Sequence, residues 1–188
     1  KTGPALEDFG KLYFSNILVE QFNEFGISES DLQAYQFPPI QKLEDAKVEM
    51  HWFGFYEKWI PQENYYTASE HCGFEANPDG RSEGTYSKYA SLDDKLAGYH
   101  NYFAHLKFGH GRATSDAAHE IRDGHITREE GARLVKKYDS ELPKRDLEFF
   151  LKYIDIEESF FWEIINYYKS ISNVWKKKGK KWVLKYLP

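Results

Sequence analysis

Apolar residues recur at helical spacing along most of the chain. Over residues 5–25, Leu6, Phe9, Tyr13, Ile17 and Phe22 return at the intervals of an amphipathic helix, with Gly26 as its stop. Ser28 and Asp31 form a capping pair for a short helix to about Tyr35, which Phe37-Pro38-Pro39 ends. Gln62–Gly73 reads as helical again. Ser91 with Asp94 caps a helix to about Lys107 carrying Leu96, Tyr99, Phe103 and Leu106 inward. Thr127-x-x-Glu130 is a capping box for a helix to Tyr138, and Pro143 suits the first turn of another ending near Tyr153. Asp155-x-x-Glu158 opens a last long helix, Ile156 to about Ser172. Two stretches break this rhythm. Val48–Tyr56 (VEMHWFGFY) is the best strand candidate, and Ala76–Gly84 (ANPDGRSEG) is turn-rich and polar. The expected fold class is mainly α, a helical array with one or few short strands.

Composition narrows the class. A chain of 188 residues can bury a real core, and 41% hydrophobic with 29% charged residues is a globular rather than a disordered balance. A net charge of −5 argues against a general nucleic-acid binder. No signal pattern or bilayer-spanning apolar run is visible, and the single Cys72 rules out an internal disulfide framework, so a cytoplasmic protein is expected. The aromatic share, 18%, points to a large aromatic core or to sugar- and partner-facing surfaces. The opening Lys1-Thr2-Gly3 lacks methionine, and a fragment is expected. Asp123-Gly124 through Glu130 mimics half of an EF-hand loop, but His119 and Ile121 stand where its first oxygen ligands belong. The seven histidines form no H-x-x-x-H pair, so no metal is expected. The 176–181 run, KKKGKK, reads as a solvated tail or a contact for an anionic partner.

Candidate chemistry gathers in Lys107–Asp123, KFGHGRATSDAAHEIRD. Gly109 and Gly111 permit a bend that turns successive N–H groups toward one point, and Thr114 or Ser115 can cap the helix behind it. Lys107 and Arg112 add positive charge beside that concavity. Arg112, Asp116 and His119 share one helical face, continued by Arg122. The pattern suits an anion cradle for phosphate or carboxylate. It equally suits a plain turn followed by a surface Arg–Asp pair.

Gly84–Leu96 (GTYSKYASLDDKL), Lys107–Asp139 (KFGHGRATSDAAHEIRDGHITREEGARLVKKYD) and Phe160–Asn166 (FFWEIIN) carry a resemblance. The chain resembles the C-terminal part of the N-acetyl sugar amidotransferases of lipopolysaccharide and surface-glycan biosynthesis, which belong to the PP-loop ATP pyrophosphatases. The resemblance covers about residues 47–170 and is densest over 83–140. It implies that the full-length enzyme uses ATP (with Mg) to convert the acetamido group of a nucleotide-sugar substrate to acetamidino. Ammonia would come from a glutaminase partner through a cyclase-like channelling subunit.

The family's S-G-G-x-D-S loop and its cysteine cluster are absent from this sequence. The fragment alone is therefore expected to be inactive and to hold no cofactor. Residues 1–60 are read as the incomplete end of the PP-loop α/β domain, with Val48–Tyr56 an edge strand, and residues 61–188 as a helical C-terminal domain. For the retained part the expected roles are charge stabilisation by Lys107, Arg112 and the Gly109–Gly111 turn, or, alternatively, holding the diphosphate or monophosphate of a nucleotide-sugar by the same group, with proton removal by Asp116 and His119. Tyr86, Ser87 and Lys88 are candidates for hydroxyl and phosphate contacts, with Arg122 beside them on the substrate side. The alternative is a helical interaction module that docks the glutaminase or a second protomer, and a homo-oligomer is compatible with either.

Overall fold

The computed structural model describes Gly3, Tyr13–Phe14 and residues 16–186. It divides into two compact units, Lys1–Trp59 and Ile60–Pro188. Among the described residues the chain is mainly helical, with two short antiparallel hairpins.

In the first unit, β1 (Tyr13–Phe14) pairs with β2 (Ile17–Leu18) around Asn16, whose φ of 67° turns the chain back. A 3-10 helix, Val19–Phe25, follows and stops at Gly26. The helix expected over 5–25 is thus replaced in its described part by a hairpin and a 3-10 segment, because Asn16 breaks the helical path. Residues 5–12 and 15 lie outside the described residues. Ser28 caps α1 (Glu29–Leu32), its hydroxyl accepting from the Asp31 N–H, and a 3-10 turn continues to Tyr35. α2 spans Ile40–Asp45. Val48–Tyr56 is not a strand: only a 3-10 turn forms, at Phe53–Phe55. No described strand runs beside it, so its backbone lacks a ladder partner whatever its β-propensity. Trp52, Phe53, Phe55 and Tyr56 are exposed.

The second unit holds α3 (Pro61–Cys72), α4 (Ala97–Phe108), α5 (Arg112–Asp123), α6 (Arg128–Tyr138), α7 (Leu147–Tyr153) and α8 (Glu158–Ile171). α3 falls on the stretch expected to be helical, Gln62–Gly73; Pro61 opens it and Gly73, in the left-handed region, ends it. α6 carries the full capping box: Thr127 N–H donates to Glu130 Oε2 and Glu130 N–H to Thr127 Oγ1. Other boundaries differ. α4 begins at Ala97, because Ser91 sits at φ 53° and Asp94 instead accepts from the Leu96 N–H. Pro143 lies ahead of α7, where its carbonyl accepts the Tyr99 hydroxyl. Asp155 adopts φ 55°, and α8 starts three residues later. The lysine run is no tail. It builds β3 (Trp175–Lys178) and β4 (Lys181–Leu184), paired antiparallel with Trp175 opposite Leu184.

The core of this unit joins α4, α7, α8 and β3 through Tyr99, Tyr102, Leu106, Phe150, Phe161, Ile165 and Trp175. Tyr99 and Phe150 stack at 3.9 Å, and Trp175 Nε1–H donates to the Leu106 carbonyl at 2.8 Å. α5 and α6 pack closely because Gly131 lies against Ile121 and Ala117, where a Cβ would meet Ile121 Cδ1 at 2.6 Å.

Candidate functional site

The bend between α4 and α5 is real, and its occupant is the chain itself. Gly109 ends α4 at φ 82°, and Gly111 precedes α5, which starts at Arg112 rather than behind Thr114 or Ser115. Asp139, at the end of α6, fills the concavity. Gly111 N–H donates to Asp139 Oδ2 at 2.6 Å, and Thr114 gives its N–H to Oδ1 at 3.0 Å and its hydroxyl to Oδ2 at 2.8 Å. His105 Nδ1 stands 3.5 Å from Oδ2, and both side chains are almost fully buried. Burial alone would push the Asp139 carboxyl up. The neighbouring His105 imidazole and the hydrogen bonds from Thr114 and Gly111 outweigh it and hold the group below the usual carboxylate range. A Cβ on Gly111 would come within 3.0 Å of Asp139 Oδ1. The helix N-terminus therefore does its electrostatic work on an internal carboxylate, and the bend does not fit the phosphates of ATP. Among the described residues no three His, Cys, Asp or Glu side chains gather in a way that could hold a metal ion.

The remaining sequence candidates separate into distinct places. Lys107 is exposed, with Nζ 5.0 Å from the centre of the Phe108 ring. Arg112 and Asp116 do meet: Arg112 Nε–H donates to Asp116 Oδ1 at 2.8 Å, and Thr85 Oγ1–H donates to Oδ2 at 2.5 Å. Arg112 also lines a polar cleft of about 140 Å³ together with Thr85, Lys95, Asn101, Arg145 and Asp146. His119 pairs with Arg122 on the same helix, through Nδ1 and Nη2. Tyr86 is half-buried, and burial, helped by the charges of Glu120 and Asp116, pushes its hydroxyl well above the usual range. Ser87 organises its own loop, its N–H bonding Thr85 Oγ1 and its Oγ accepting from the Tyr89 N–H. Lys88 is exposed. Gly109 lines a different cavity, about 420 Å³, with His105, Asp139, Trp175 and Trp182.

Spacing did not single out Thr85, Asp139, Arg81 or Glu141. Arg81 forks onto Glu141 at 2.6 and 2.8 Å, and Glu141 also accepts from the Gly84 N–H. The Arg81 hydrogen bond, followed by the Gly84 amide and Arg81's charge, outweighs burial and holds the Glu141 carboxyl below its ordinary range.

α8 has a second apolar face. Phe161 and Ile165 are buried at 2%, whereas Phe160, Ile164, Tyr167 and Ile171 are 51, 42, 66 and 60% exposed. At 100° per residue these four fall within an arc of about 60°. Phe149 and Tyr153 of α7 are exposed as well.

Residues 83–187, more than half of the chain, match the domain family described as LPS biosynthesis protein WbpG-like, C-terminal domain. No curated protein sequence matches the chain. Among the described residues no helix is long and apolar enough to cross a membrane. The match corrects the resemblance drawn from the sequence. The dense stretch over 83–140 falls inside a span that belongs to an LPS biosynthesis C-terminal domain, not to a PP-loop ATP pyrophosphatase or amidotransferase family. The chain belongs to the family of WbpG-like LPS biosynthesis proteins and carries their C-terminal domain.

Proposed function

We propose that this domain serves surface-glycan biosynthesis as a helical interaction module, docking a protein partner through the outer face of α8. The observation that supports this most is the exposed stripe Phe160, Ile164, Tyr167 and Ile171. A helix that is apolar on the core side and again on the solvent side is the pattern of a helix meant to be enclosed. Contiguous exposed patches of this kind mark interaction sites in folded proteins. The stripe lies within the family span. The partner is a second protomer or a glutaminase that serves the same biosynthetic step.

The test is Tyr167→Glu in cells that assemble the glycan. The variant should accumulate with an unchanged circular dichroism spectrum, because Tyr167 is 66% exposed. Surface polysaccharide on a gel should nevertheless fall sharply. Wild-type glycan levels from that variant would defeat the docking role.

A second reading is favoured by Arg112. Its Nε is the atom that bonds Asp116, leaving the terminal guanidinium nitrogens for oxygens of a nucleotide-sugar substrate in the adjoining polar cleft. Calorimetric titration with UDP- and CMP-linked N-acetyl sugars tests it. Binding by the wild type that Arg112→Gln abolishes supports this reading, and binding unaffected by that change counts against it.

A further inference from the structure

We propose that the partner seated on α8 is a second copy of this chain, with the two α8 helices antiparallel across a two-fold axis. This rests on the docking role of α8 and names its occupant.

The argument begins with the spacing of the stripe. An antiparallel two-fold placed midway between residues 165 and 166 sets Phe160 against Ile171 and Ile164 against Tyr167 of the other copy. Every exposed apolar residue of the stripe then meets another, and each aromatic ring faces an aliphatic side chain. That self-complementarity is what an isologous interface requires. The stripe runs twelve residues, about 16 Å from first to last, enough for three turns of helix–helix contact.

Charge supports the same orientation. The N-terminal end of α8 is acidic, with Asp155, Glu157 and Glu158 all exposed. Its C-terminal end leads into the lysine-rich hairpin, where Lys176, Lys178, Lys180 and Lys181 are exposed. An antiparallel pair brings the acidic end of each copy to the basic end of the other, twice. A parallel pair would oppose acid to acid and lysine to lysine, which is unfavourable. The cationic hairpin thus acquires an anionic partner in the chain's own sequence. One helix face with its flanks is smaller than a standard interface of about 800 Å² per partner, so the dimer should be micromolar rather than nanomolar.

Sedimentation velocity on the whole chain, from about 1 to 200 µM, reads this out over the range where small interfaces associate. The wild type should pass from monomer to dimer. Ile164→Glu sets two carboxylates beside the axis and should weaken association by about thirty-fold or more. Its near-ultraviolet spectrum should stay unchanged, since Phe161 and Ile165 hold the inner face. Glu157→Lys with Glu158→Lys should also weaken the dimer, as should Lys176→Glu with Lys178→Glu. Mixing these two variants should restore association, because each now supplies the charge the other lacks.

A wild type that stays monomeric throughout, a dimer that survives Ile164→Glu, or a mixture that fails to recover overturns the pairing. A monomeric wild type together with glycan loss in Tyr167→Glu would remove the self-pairing and leave the docking role standing. A dimer with intact glycan in that variant would do the reverse.

Discussion

Replacing Asp139 should unfasten the junction between α5 and α6, and the size of the effect follows from its bonds. The carboxylate accepts three hydrogen bonds, from the Gly111 N–H, the Thr114 N–H and the Thr114 hydroxyl, while only 5% exposed. A hydrogen bond to a charged group is worth about 1.5–3 kcal/mol net, and a buried donor left unpaired costs about 1–3 kcal/mol. Asn at this position keeps the shape and one acceptor oxygen, but sets an amide NH₂ against donors and gives up the charge facing the α5 dipole. Asp139→Asn should therefore cost about 3 kcal/mol at neutral pH, and Asp139→Ala somewhat more. For a chain of this size that lowers Tm by roughly 6–12 °C.

The pH dependence carries the sign. The folded-state pKa of Asp139 lies below its unfolded value, which is about 3.9. The stabilisation is therefore complete above the unfolded pKa and disappears as pH falls through the folded one. Urea unfolding of wild type and Asp139→Asn at pH 7, 5, 4, 3 and 2 checks this. The gap between the two should be widest at pH 5–7 and should close toward pH 2. A gap that is absent at pH 7, or that keeps its full size at pH 2, would refute the assignment of Asp139 as the internal anion of α5.

Two further outcomes follow from local geometry. Thr127→Ala removes the Oγ1 that accepts from the Glu130 N–H and should cost about 1 kcal/mol in urea unfolding, with Thr127→Ser close to wild type. Gly131→Leu should destabilise far more than Gly131→Ala. The alanine Cβ presses on Ile121, at 2.6 Å from Cδ1 and 3.2 Å from Cγ1, which a shift of that side chain relieves, and it gains about 1 kcal/mol of helix propensity, whereas leucine forces α5 from α6. Comparable Tm values for the two variants would show that the helices do not rely on close approach there.

What could be read from the sequence was local. The Thr127–Glu130 box, the Gly26 stop and the Arg112–Asp116 pair each depend on residues within four positions, and each stands as read. The bend at Gly109–Gly111 was legible as a place where an anion belongs, because glycine permits it and a helix N-terminus faces it. The anion's identity was not legible, since Asp139 lies 25 residues beyond Thr114 and only the packing of α6 brings it home. The terminal hairpin was hidden by charge: five lysines around Gly179 dominate the composition, although Trp182 and Leu184 recur at the two-residue period of a strand. The aromatic run Val48–Tyr56 misled in the opposite sense. Its composition suits a sheet, but a strand is a relation between two segments, and one segment cannot disclose the other.

The exposed side of α8 bears on stability as much as on partnership. Phe161 and Ile165 on its inner face hold α4, α7 and β3 together, so the helix that closes the core is also the one offered outward. Any partner that covers the outer stripe binds only the folded helix, and by mass action it stabilises the fold it docks to. Covering the stripe also removes apolar surface from water at about 25 cal/mol per Å². Cohesion of the unit and occupancy of its surface are thus coupled through one helix. A charge placed at Ile164 should lower the concentration dependence of Tm while leaving the dilute value almost unchanged. A charge at Ile165, one position along, should lower Tm at every concentration, because that side chain is 2% exposed. Equal behaviour of the two variants would mean that α8 does not separate an inner, structural face from an outer, associating one.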